Sequence, residues 1–236
     1  MPTDPPVLVG CAHGTRDPAG RRAIARLRLD AAALRPGVQV VAANVDVHKP
    51  ALDDVVARLS SAGRHSVVVP LLLSAGYHMA TDVARAVGAS NGLAVAAPAL
   101  GPDEALADAL ADRLLASGYG ATGRVVLAAA GSSDACATGD VDATAALLSR
   151  RLAAQVTVGY LSAATPSVAD AVADACSDGE PVSVATYLLA PGFLADRLAR
   201  VADQAGAVRV SAPLAPHAAV ARLVLRRYDE ALTTRL

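Results

Sequence analysis

The sequence predicts an α/β protein made of two similar doubly wound domains, each with a mainly parallel sheet of four strands. Three observations carry this. Apolar runs of strand length alternate with helical patterns in the first half. The same order of motifs then begins again about halfway along the chain. No apolar run approaches the ~18 residues of a membrane span.

The first strand is Val7 to Cys11, a run of apolar residues suited to a strand covered on both faces. It empties into His13-Gly14-Thr15-Arg16-Asp17-Pro18, where Gly14 and Pro18 end the strand and Asp17 can cap the helix that follows. Further strands are expected over Val38 to Val45, Ser66 to Leu73 and Leu93 to Ala97. Helices are expected over Ala19 to Leu34, Ala51 to Ala62, Tyr77 to Val87 and Asp103 to Ala116. Parallel β-α-β units follow, with right-handed crossovers. The first domain is read as residues 1–118 and the second as 119–236, joined near Ser117 to Gly123.

The second copy is read from four matches at offsets of 115 to 117 residues. VVLAAAGSSD lies over VLVGCAHGTRD, SAATPSVADAV over DVHKPALDDVV, YLLAPGFLADRLARV over LLLSAGYHMATDVARAV, and Ala212-Pro213 over Ala97-Pro98. The duplicate keeps the residues that shape turns, pairing Gly131 with Gly14, Asp134 with Asp17, Pro166 with Pro50 and Gly192 with Gly76. It loses three others: Ala130 stands for His13, Ser162 for Asp46 and Leu194 for His78. Because the second half folds without them, His13, Asp46 and His78 are candidates for chemistry. Two copies derived from a self-complementary pair are expected to keep an approximate two-fold axis, so the chain is expected to act as a monomer.

Composition excludes several classes. The 236 residues are 53% hydrophobic and only 3% aromatic, with no Trp, so burial rests on Ala, Val and Leu. A net charge of -1 and a pI near 6.5 give no basic surface for nucleic acid. The amino terminus MPTDPP lacks a basic segment before an apolar core, and a cytoplasmic protein with no membrane partner is expected. Cys11, Cys136 and Cys176 form no C-x-x-C pair. They read as buried small hydrophobes, with Cys11 near enough to His13 to line the site.

His13 and His78 each follow a strand at the carboxyl edge of a parallel sheet, where ligands bind in open α/β folds. The pair reads as a divalent-metal site. Asp46 either caps the turn before Pro50 or joins the chemistry. Arg16 either binds an anionic substrate group or neutralises Asp17. His48 reads as a surface residue, His65 as solvated, and His217 as a helix-end residue.

These residues carry a resemblance. His13-Gly14-Thr15-Arg16-Asp17-Pro18, the Asp46-x-x-x-Pro50 element, and Pro70-Leu71-Leu72-Leu73 leading to Gly76-Tyr77-His78 resemble the sirohydrochlorin chelatase family in its two-domain form. The resemblance implies insertion of Co2+ or Fe2+ into a tetrapyrrole, in siroheme or cobalamin synthesis. It implies that His13 and His78 hold the metal beside a carboxylate, supplied here by Asp46, one methylene shorter than the family's glutamate. Arg16 and Tyr77 fall in the same motifs and are candidate contacts to the macrocycle. No organic cofactor is implied, and without a cysteine-rich segment no iron–sulfur cluster is expected.

The chemistry suits these groups. Neutral imidazoles bind Fe2+, Co2+ and Ni2+ while leaving positions open for ring nitrogens, and affinity alone does not select among the three metals. A carboxylate or imidazole can take the pyrrole protons. Two other readings use some of the same residues. A histidine-phosphatase-like phosphoryl-transfer enzyme would want arginine directly before the histidine, where Ala12 stands. A non-catalytic metal carrier would need the same ligands.

Overall fold

The computed structural model describes the backbone of residues 4–74 and 77–234 and the side chains of these residues except 77–80. Its elements run β1 (Val7–Ala12), α1 (Pro18–Leu34), β2 (Val40–Asn44), α2 (Leu52–Ser61), β3 (Ser66–Pro70), α3 (Tyr77–Gly88), β4 (Ala94–Ala96) and α4 (Glu104–Ala116). The series then recurs as β5 (Arg124–Ala129), α5 (Ala135–Leu152), β6 (Val156–Tyr160), α6 (Val168–Cys176), β7 (Val182–Tyr187), α7 (Phe193–Gln204), β8 (Arg209–Val210) and α8 (Ala218–Thr233). Two four-stranded parallel sheets result, ordered β2-β1-β3-β4 and β6-β5-β7-β8.

The chain divides into two compact units, and their limits are not those of the repeat. Unit 1 comprises residues 1–100 with 216–236, and unit 2 comprises 101–215. The helix over Asp103 to Ala116, read from sequence as closing the first domain, packs instead in unit 2 on α5 and β7. α8 takes the corresponding place in unit 1, on α1 and β3. The physical reason is that α4 offers a buried stripe of Leu106, Ala107, Leu110 and Leu114 that fits either sheet, so periodicity shows the stripe but not its partner.

In unit 1, β1 is buried along its whole length, as a central parallel strand must be. Alternate residues Val7, Val9 and Cys11 face a cluster with Leu52, Val55, Val56 and Val83, contributed by α2 and α3. The opposite face meets α1 and α8. Each fully buried leucine there, such as Leu8 or Leu27, contributes about 1.5–3 kcal/mol by leaving water.

Local signals set the helix ends. The Asp17 carboxylate accepts from the backbone N–H of Ala19 (2.7 Å) and Gly20 (3.0 Å), with Pro18 in the first turn. Asp134 repeats this cap on Cys136 (2.9 Å). α8 is capped by His217, whose Nδ1 accepts from Ala219 N–H at 3.2 Å, the helix-end role expected for it. Its face is then tied down by the Tyr228 hydroxyl donating to Pro6 O at 2.7 Å, by Arg227 donating to the carbonyls of Ala99 and Leu100, and by an Arg35–Asp229 ion pair. Unit 2 mirrors unit 1, with α6 and α7 on one face around Val126, Ala128, Val172, Val184 and Leu198, and α4 and α5 toward the other. In the last strand the structural offset is 114: Ala97 N–H donates to Val68 O and Ser211 N–H to Val184 O. The Ala-Pro match at 115 is therefore one residue out of register.

Candidate metal and macrocycle site

β1 lies between β2 and β3, and all three run parallel, so the segments leaving their carboxyl ends share one edge of the unit 1 sheet. His13 directly follows β1, Asp46 lies two residues past β2, and His78 stands in the first turn of α3 after β3. This edge is also the switch point, since the chain leaves β1 toward β2 on one side and reaches β3 on the other. The side chains of Tyr77 and His78, and the backbone of Gly76, lie outside the described residues.

The His13 and Asp46 loops are locked together by backbone. Val45 N–H donates to Ala12 O and Asp46 N–H to His13 O, both at 3.0 Å. Gly14 holds φ +104, and a Cβ there would run into the Asp46 carbonyl, so only glycine fits. Beyond it, Val47 sits at φ 70, while His48 N–H reaches back to Asp46 O at 2.8 Å. A β-branched residue in the left-handed region is strained, and such strain collects where a loop is shaped for function. The Asp46 carboxylate accepts from Val47 N–H at 2.6 Å, which orients it while leaving it exposed. His13 is exposed as well.

The remaining candidates sort as follows. Arg16 is exposed and makes no ion pair among the described residues, so it does not neutralise Asp17, which is occupied as a cap. His48 is not the surface residue expected: it is partly buried, and its Nδ1 is shielded with no hydrogen-bond partner among the described residues. Its backbone N–H is tied to Asp46 O within a turn set by the left-handed Val47, which a short polar stretch does not announce. His65 is exposed. Cys11 is fully buried and faces the α2–α3 cluster, so it does not line the surface, and burial pushes its thiol up to about 12. Cys136, expected to be buried, is exposed in the first turn of α5, because the cap places that turn outside the core. Among the described residues no cluster of three or more His, Cys, Asp or Glu is placed to hold a metal.

One residue escaped sequence reading altogether. Arg28 of α1 lies partly buried against the sheet, donating from Nε to Gly10 O (3.0 Å) and from Nη2 to Ala43 O (2.9 Å). The signal was Gly10, since glycine inside a strand marks a close approach: a Cβ there would lie 3.3 Å from Arg28 Cγ. Unit 2 builds the same edge with other side chains. Leu161 N–H donates to Ala129 O, Ser162 N–H to Ala130 O at 3.1 Å, Gly131 holds φ +90 and Ala163 φ 58.

Fold and sequence together define a duplicated parallel α/β protein whose first copy bears His13, Asp46 and His78 at the sheet edge where the second bears Ala130, Ser162 and Leu194. The chain belongs to the CbiX family, whose model matches it twice, over residues 7–117 and 124–231. Among solved structures it is similar to SirB from Bacillus subtilis with Fe3+, at 23% identity over 97% of this chain and 96% of that one, with a TM-score of 0.83. The sirohydrochlorin chelatase SirB from Bacillus subtilis subspecies spizizenii in complex with cobalt matches at 21% identity, 97% and 95% coverage and a TM-score of 0.80. CbiX, described as the terminal enzyme for biosynthesis of siroheme in denitrifying bacteria, matches at 24% identity, 96% and 99% coverage and a TM-score of 0.71. At these identities the likeness is one of fold. No curated protein matches the sequence at a significant level.

Proposed function

We propose that this protein is a tetrapyrrole chelatase that inserts Co2+ or Fe2+ into sirohydrochlorin, with the first unit doing the chemistry. The observation that carries the reading is the adjacency of three strand ends bearing His13, Asp46 and His78, set against a duplicate edge of the same backbone that bears Ala130, Ser162 and Leu194. Membership in the CbiX family supports it, as do structural neighbours described as SirB with Fe3+ and as the sirohydrochlorin chelatase SirB in complex with cobalt.

In this reading the metal is a substrate. His13 and His78, as neutral imidazoles, take it from water and leave positions open for the ring nitrogens. Four metal–nitrogen bonds form to the ring as its two pyrrole N–H bonds break, so two protons leave, one of them to solvent water. Asp46, exposed and oriented by Val47 N–H, is the base that receives the other. The Asp46–His13 backbone bond holds the two loops side by side, which supports a joint role for the carboxylate and the imidazole. Arg16, with no ion pair among the described residues, and Tyr77 face the acidic substituents of the macrocycle in this proposal. Ni2+ would compete, since imidazole favours it over Co2+ and Fe2+. The reading also takes the protein to act as a single chain in the cytoplasm, and among the described residues no helix is long and apolar enough to cross a membrane.

The test is incubation of the protein with sirohydrochlorin and Co2+, followed by the absorption spectrum of the macrocycle. Conversion well above the uncatalysed rate is expected. A rate equal to that without protein, for both Co2+ and Fe2+, overturns the reading.

A further inference from the structure

Gly10 and Ala43, the two carbonyls that Arg28 holds, each lie three residues before a proposed site residue, His13 and Asp46 respectively. The guanidinium therefore spans the two strands just behind the point where their loops diverge. A planar fork with several donors is the side chain that can bond two strands at once. Among the described residues no carboxylate pairs with it, so a partly desolvated cation rests on backbone carbonyls alone. Burial lowers its proton affinity from the usual arginine value, as expected of a cation without a counter-charge.

The duplicate shows that the fold does not require this. The buried faces of α1 and α5 correspond at an offset of 117, Ile24 to Val141, Leu27 to Thr144 and Ala31 to Leu148. In that register Leu127 stands for Gly10 and Ala145 for Arg28, both buried. A large residue on the strand and a small one on the helix replace a small residue on the strand and a large one on the helix. The edge loops keep the same backbone bonds in both units, so the guanidinium is not what creates the turn. Replacing a buried charged group by apolar residues of similar volume is often neutral or stabilising. The unit with the polar edge uses the charged solution all the same.

We propose that Arg28 is a positioning residue for the reaction, tying the ends of β1 and β2 so that His13 and Asp46 keep their separation while the metal and the ring are forced together. This rests on the function proposed above. Small displacements of ligands and bases carry large kinetic losses, and supporting partners of metal ligands commonly contribute about 10–100-fold.

The experiment transplants the duplicate's apolar pair, as the double variant Gly10→Leu/Arg28→Ala, beside Arg28→Lys and the parent. Melting temperature, kcat and KM for Co2+ insertion into sirohydrochlorin, and Co2+ affinity without macrocycle are measured for each. The double variant should melt at or above the parent, lose about 10-fold in kcat with KM for the macrocycle unchanged, and bind Co2+ about 10-fold more weakly. Arg28→Lys, which keeps the charge but not the fork, should fall between. Parental kcat and Co2+ affinity in the double variant overturn the proposal. So does a loss of activity matched by a loss of stability, with no rescue by lysine. Should the double variant fail to fold, Arg28→Met gives the same readings with the length of the side chain kept. If the parent itself inserts no metal, the proposed function fails, and the Co2+ affinities alone still judge Arg28.

Discussion

The two sheet edges differ in side chains and hardly at all in backbone. In unit 1, Asp46 N–H bonds His13 O at 3.0 Å beside a glycine at φ +104. In unit 2, Ser162 N–H bonds Ala130 O at 3.1 Å beside a glycine at φ +90. Thr15 and Asp17 cap α1 as Ser132 and Asp134 cap α5. A loop frame can thus be kept while His13, Asp46 and His78 are all replaced. Turn glycines and caps belong to the fold, and the proposed function assigns the chemistry to the residues that differ between the edges. Neither distinction could be drawn from one copy alone.

The sharpest way to break this comparison is to make unit 1 more like unit 2. His13→Ala and His78→Leu import the duplicate's residues, so each should lower the rate of Co2+ insertion by more than ~100-fold, beyond what loss of a supporting partner causes. Melting temperatures should stay within a few degrees of the parent. Rates near the parental value for both, after subtraction of the uncatalysed reaction, would place the chemistry elsewhere. The converse exchange, Ala130→His, should create no activity in a His13→Ala background, because unit 2 has neither a carboxylate at Ser162 nor an imidazole at Leu194.

Next in size is Asp46. Asp46→Ala should cost about 100-fold in kcat, the lower end for a positioned base, whereas Ser162→Ala should change the rate less than two-fold. Equal effects at the two positions would show that the loop serves the fold in both units. The glycines sharpen the comparison in the other direction. Gly14→Ala and Gly131→Ala each force a side chain into the left-handed region and toward a carbonyl, so both should destabilise by more than ~1 kcal/mol in denaturant melts. Only Gly14→Ala should also lower activity per folded molecule, because it alone displaces Asp46.

The smallest effect concerns the thiols. Burial raises the Cys11 thiol from 9.0 to about 12, so the folded state holds its proton where the unfolded chain releases it. The stability this contributes is full below pH ~9 and is lost as pH rises toward ~12. Cys11→Ala should therefore flatten the alkaline decline of the melting temperature. At pH 8, iodoacetamide should modify Cys136 readily and reach Cys11 only on unfolding. Rapid alkylation of Cys11 in the native protein would contradict its place in the α2–α3 cluster.

Much of unit 1 was legible because its signals are local. A strand buried on both faces reads as an apolar run, and β1 occupies Val7–Ala12 against an expected Val7 to Cys11. α1 starts where Asp17 and Pro18 announce it. The three candidate positions stood out because the repeat supplied a copy lacking them. Other features depend on contacts between distant residues. The inward turn of His48 follows from the strained Val47 loop, and nothing in the sequence around it is unusual. Arg28 gives no local signal of its own, since its two partners lie 18 and 15 residues away in the chain.

The sequence by itself determined the alternation of strands and helices, the duplication, the turns closed by Gly14 and Gly131, and the loss of three polar side chains from the second copy. These follow from the period of apolar residues, from steric limits on φ, and from direct comparison of the halves. Only the tertiary structure decided which sheet each terminal helix covers. α4 leaves the repeat that encodes it to pack on β7, and α8 crosses back to pack on β3. Burial of an apolar stripe is non-directional: Leu106, Leu110 and Leu114 gain as much from one valine-rich sheet face as from another. Specific bonds then fix the choice, such as Tyr228 on Pro6 and Arg227 on Ala99 and Leu100, and they exist only once the chain has folded.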